Sequence, residues 1–109
     1  MVVEEVVTSV VKHLKDVGYR AVSRSMGSCY MISVQRGDKV YVISITKGSM
    51  VDVYVAKVTI PEYLPSFEWS CELVEYSPYG FYILEESPEK LALDITKKLE
   101  LLDRVYRAK

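Results

Sequence analysis

The chain has 109 residues, 50% hydrophobic and 27% charged, with a formal net charge of −1, which is enough for one packed core and too little for two. No apolar run approaches the roughly 18 residues a membrane-spanning helix needs, and Glu4 and Glu5 stand where a secretion signal would carry cations, so a cytoplasmic protein without membrane contact is expected. Asn is absent and Gln35 is the only Gln, which beside abundant Val, Ile, Tyr, Glu and Lys is the compositional mark of a hyperthermophile.

In chain order, "VVEEVVTSVVKHLKDVG" places Val3, Val6, Val7, Val10, Val11, Leu14 and Val17 on one helical stripe, with acids at its start, Lys12 and Lys15 near its end and Gly18 as its cap. From Tyr19 the period changes to two. "YRAVSRS", "CYMISVQR", "KVYVISITK" and "VDVYVAKVTI" are separated by "MG", "GD" and "GSM", short turns that predict an antiparallel meander. "PEYLP" interrupts it, and "FEWSCELVEY" then alternates Phe67, Trp69, Cys71 and Leu73 with Glu68, Ser70 and Glu72, as a strand with one wet face would. "SPYG" turns at Pro78 into a short last strand, "FYIL". Ser87-Pro88-Glu89 opens a C-terminal helix whose stripe is Leu91, Ile95, Leu99, Leu102 and Tyr106. The fold class expected is α+β: one two-layer domain over residues 1–109, with a meander of four to five strands and both terminal helices on one face.

A two-residue turn at Gly37-Asp38 pairs Arg36 with Lys39, Val34 with Tyr41, Ile32 with Ile43 and Tyr30 with Ile45. With Met26-Gly27 as the preceding turn, Tyr19 and Ala21 join this apolar face, the floor for the helices. The other face collects Cys29, Met31, Ser33, Gln35, Val40, Val42, Ser44 and Thr46, flanked by Arg20, Val22 and Arg24, and holds no acid. It is either an ordinary solvated sheet surface or a contact patch built on Met31, Val22, Val40 and Val42.

Catalytic signatures are not found in the sequence. His13 lies at the edge of the first helix's stripe without partners at metal-ligand spacing and reads as structural, so neither metal nor other cofactor is expected. Cys29 and Cys71 lack metal spacing and read as buried thiols, although intracellular disulfides do occur in hyperthermophiles. Glu68 and Glu72 would stand about 13 Å apart along a strand, too far for a close acid/base pair. Arg36-Gly37-Asp38 is explained by its turn. A protein without enzymatic activity is expected.

Charge and aromatic placement carry the remaining signal. Residues 1–50 are net basic, and residues 51–86 are strongly acidic with Lys57 as their single cation. Nine Tyr, two Phe and one Trp fall largely on strands among cations, the combination that holds single-stranded DNA or RNA by stacking and phosphate contacts. The candidate binding residues are Arg20, Arg24, Arg36, Lys39, Tyr41, Tyr54, Lys57 and Trp69. The layout of helix, aromatic-rich meander and amphipathic C-terminal helix in an Asn-free chain resembles the ThermoDBP-type single-stranded DNA-binding proteins of hyperthermophilic archaea. That resemblance implies a cleft between sheet and helices for a single strand, and dimerisation through the last helix. The alternative is a protein-binding adaptor or chaperone-like module, which the acidic 51–86 segment fits better than it fits a polyanion. Leu93, Leu101 and Ala108 form a second stripe on the last helix, away from the core stripe, and predict a homodimer interface there.

Overall fold

A computed structural model describes residues 3–27, 29–48, 53–63, 70–77 and 79–107. Helix α1 (Val3–Asp16) is followed by strands β1 (Arg20–Ser25), β2 (Tyr30–Arg36), β3 (Lys39–Lys47) and β4 (Tyr54–Thr59). A 3-10 turn (Pro61–Tyr63), a short helix α2 (Cys71–Glu75), strand β5 (Phe81–Glu85) and helix α3 (Pro88–Leu102) complete the order, and α3 runs on into a π-helical turn (Asp103–Arg107). The strands form one antiparallel sheet in sequence order, β1-β2-β3-β4-β5. No helix among the described residues is long and apolar enough to cross a membrane.

Valine is a poor helix former, so α1 depends on its packing. Val6, Val7, Val10 and Leu14 are fully buried against the sheet, each worth roughly 1.5–3 kcal/mol in transfer terms. Its end is fixed locally: Gly18 takes a φ of 102°, and the N–H groups of Gly18 and Tyr19 bond the carbonyls of Lys15 and Leu14, a Schellman cap. Helix α3 starts as its sequence dictates, with the Ser87 hydroxyl accepting from the Lys90 N–H and Pro88 in the first turn.

The β2–β3 register is the expected one, Arg36 to Lys39 through Tyr30 to Ile45. The preceding turn falls one residue later than Met26-Gly27, because the Met26 N–H bonds the Cys29 carbonyl and Ala21 pairs with Val34. That displacement moves the pairing by an even number of residues. The faces are therefore unchanged, and Tyr19, Ala21, Ile32, Val34, Tyr41, Ile43 and Ile45 join Tyr54, Ala56 and Val58 in the core beneath α1 and α3.

Two expectations fail between β4 and β5. Cys71 to Glu75 is helical, not extended: Ser70 caps it by accepting from the Leu73 N–H, and Cys71 and Val74, three apart, are the buried pair. Phe67, Trp69 and Pro78 lie outside the described residues. The cysteines are not thiols but a disulfide, Cys29–Cys71, with Cα atoms 6.0 Å apart. The bridge fastens α2 across the second sheet face, where Val74 covers Met31 and Val42 with half-buried Met26 at the margin. The centre of the supposed contact patch is thus a small second core, and of its apolar members only Val22 and half-buried Val40 reach solvent.

Candidate binding surfaces

On the second face, β1 presents Arg20, Val22 and Arg24 to solvent, and Val22, 71% exposed, stands between the two arginines. Arg20 and Val22 line a shallow groove of about 300 Å³ with Ser33, Val34, Gln35 and Val40. No acid lines it. Among the described residues β1 is also an edge strand, bonded only to β2. The Met26–Cys29 bond fixes the alternation: Arg20, Val22 and Arg24 turn their backbone groups toward β2, while Ala21, Ser23 and Ser25 turn theirs outward. Among the described residues this strip combines two unengaged cations, an exposed valine and an open strand edge.

The other candidate residues do not join it. Arg36 stacks its guanidinium 5.1 Å from the centre of the Tyr19 ring and bonds the Tyr19 hydroxyl at 3.5 Å. Lys39 reaches Asp103 Oδ2 at 3.4 Å. Tyr41, 1% exposed, donates its hydroxyl to the same carboxylate oxygen at 2.7 Å, and Tyr54 is equally buried under the helices. Neither ring offers a face to a base; both point inward because they share a side with Ile43 and Ile45. The space between sheet and helices, where a single strand would lie in the resembled proteins, is filled by this core. Trp69 and Ala108 lie outside the described residues.

Lys57 is the least expected of the set. It faces away from α1 and α3, is 2% exposed, and donates Nζ to the Ser77 carbonyl at 2.6 Å while lying 4.1 Å from the centre of the Tyr82 ring. The Tyr82 hydroxyl donates to the Glu75 carbonyl, and Thr59 donates to the Tyr79 carbonyl at 3.1 Å. The ammonium thus meets the carbonyl-rich end of α2, where the helix dipole favours a cation. Burial pushes its pKa below the ordinary lysine value of 10.5. Gly80 makes the close approach possible: its φ of 110° suits glycine, and a Cβ there would collide with the Val58 carbonyl oxygen.

Exposed rings do exist, at Tyr76, Tyr79 and Tyr82, but in the acidic segment. Tyr82 on β5 is four strand spacings, roughly 19 Å, from β1, with α2 between. Beside it Leu84 is 64% exposed, a pair of apolar edge residues that the alternation of "FYIL" signals but that sequence reasoning did not single out. At the same edge Glu85 hydrogen-bonds Asp94, which raises the Glu85 pKa. Leu93 is 51% exposed and borders a groove with Ser9, His13, Pro88, Glu89 and Ala92. Leu101 is half-buried.

Compared with protein-family models, characterised proteins and solved structures, the chain finds no match.

Proposed function

We propose that the domain is a protein-binding module that takes an extended, acidic segment of a partner along β1. The observation that carries this reading is the coincidence, on one edge strand, of Arg20 and Arg24 with exposed Val22 and outward backbone groups at Ala21, Ser23 and Ser25. A segment added antiparallel to β1 bonds those outward groups, and its alternate side chains fall beside Arg20, Val22 and Arg24. The pattern favoured is acid-x-apolar-x-acid. Single-stranded nucleic acid is the weaker reading, because stacking and phosphate contacts must follow one track, and among the described residues the exposed Tyr76, Tyr79 and Tyr82 lie away from Arg20 and Arg24 on β1. The role proposed is binding, not catalysis. The protein would work in the cytoplasm of a hyperthermophile, where an internal disulfide accords with the Asn-free composition, and as a homodimer involving the last helix.

Fluorescence anisotropy with a labelled acid-x-apolar-x-acid peptide and with a 20-nucleotide strand tests it. The peptide should bind at micromolar concentration. Arg20→Glu/Arg24→Glu should abolish binding, and Ser23→Pro should weaken it about tenfold, because proline removes an outward N–H without touching the β1–β2 bonds. Binding of the oligonucleotide alone, weakening as salt rises, would replace this reading with the nucleic-acid one.

A further inference from the structure

The two edges of the sheet are unlike. β1 carries Arg20 and Arg24, and pairing two copies there would crowd four guanidinium groups at one seam, which disfavours self-association. β5 carries no cation, and its outward-facing residues are Tyr82 and Leu84, 52% and 64% exposed. The Gly48 N–H to Val53 carbonyl bond sets the alternation across β3 and β4. With the β4–β5 register, it turns the backbone of Ile83 toward β4 and that of Tyr82 and Leu84 outward. No other strand among the described residues pairs with this edge.

We infer that two copies of the chain pair antiparallel through β5, about a two-fold axis at Ile83, joining their sheets into one. This rests on the homodimer reading above and names its interface. In that register Tyr82 of each copy lies opposite Leu84 of the other, so the two exposed apolar residues of the edge cover one another while their backbones exchange hydrogen bonds. A register centred on either residue alone matches Tyr82 with Tyr82 or Leu84 with Leu84 and leaves the other facing positions outside β5.

Charge complementarity on the opposite face supports the same axis. Glu85 and Asp94 lie together at one end of β5 with Glu86 and Lys90 beside them, an end that is net acidic, and Lys98 Nζ lies 5.6 Å from the centre of the Phe81 ring at the other end. Ile83 is midway between Phe81 and Glu85. A two-fold axis there exchanges the ends, bringing the acidic end of each copy against Lys98 of the other. Helix α3 packs on both β4 and β5, so the two α3 helices would run antiparallel about 10 Å apart, a normal helix-packing distance. Asp94, Lys98 and Leu101 line the facing row. Leu101 therefore enters the interface, and Leu93, on the side toward α1, does not.

Sedimentation equilibrium decides between the outcomes, with thermal melts followed by circular dichroism to confirm that each variant is folded. Wild type should give twice the chain mass of 12.5 kDa. Leu84→Pro should give a folded monomer, because the N–H it removes points away from β4, and Leu84→Lys should do the same by charge. Lys98→Glu should weaken the dimer about tenfold, and the swap Asp94→Lys/Lys98→Glu should restore it, since the contact is reciprocal. A monomeric wild type overturns both the dimer and this interface. A wild-type dimer indifferent to folded Leu84 variants and to the charge swap overturns the interface alone.

Discussion

Lys57 donates its ammonium into the fold, to the Ser77 carbonyl, and not to solvent. As the single cation in an acidic stretch it invites a phosphate, yet its neighbours are the Ser77 carbonyl and the Tyr82 ring, and solvent hardly reaches it. Lys57→Met keeps the aliphatic stem but leaves the Ser77 carbonyl without its donor, and should lower the unfolding free energy at neutral pH by about 1–3 kcal/mol. The sign of the pH effect follows from the depressed pKa. Between the folded value and 10.5 the unfolded chain binds more protons at Lys57, so stability rises with pH through that window. The gap between wild type and Lys57→Met in urea denaturation should widen as pH approaches 10.5; a constant gap would show that burial does not perturb the ammonium.

At the scale of elements, α2 depends on its attachments. Five residues cannot hold a helix alone, and α2 is fixed at its start by the Cys29–Cys71 bridge and at its end by Lys57 and Tyr82. A sequence separation of 42 gives the disulfide a chain-entropy contribution of about 4 kcal/mol. Reduction, or Cys29→Ser/Cys71→Ser, should lower the melting temperature and raise hydrogen exchange in β2 and β3 around Met31 and Val42, which α2 covers. Exchange in α1 should change less, because its contacts lie on the other face. Equal melting temperatures before and after reduction would show that α2 is held by packing alone.

For the whole molecule, the contrast between edges organises the proposals: a basic, open β1 for a partner and an apolar β5 for a second copy. The two proposed contacts are compatible, since joining β5 to β5 would leave both β1 edges at the far ends of the combined sheet. Two sites on one assembly would raise avidity for a partner carrying two acidic segments. Coupling of folding to association makes the thermal midpoint concentration-dependent. Wild type should melt higher at higher protein concentration, and Leu84→Pro should melt at one temperature throughout; a concentration-independent wild type would argue for a monomer.

Elements whose signals are local and long are legible from residue order alone. The Val stripe with Gly18 specified α1, Ser87-Pro88 specified the start of α3, and Gly37-Asp38 with alternating apolar residues specified the β2–β3 register. Because strand periodicity is two, even the misplaced turn at Met26-Gly27 kept every side chain on its face. Tertiary structure decided the rest. Cys71 and Leu73 alternate as a strand does, Cys71 and Val74 recur as a helix does, and five residues are too few to separate the two periods. Only the sheet beneath, offering Met31 and Val42 to Val74 and Cys29 to Cys71, selects the helix. The same cover buries Lys57, and the helices bury Tyr41 and Tyr54. Residue type announces which side chains can bind a strand or a peptide, but exposure is a property of what packs above them, and that is set by residues far away in the chain.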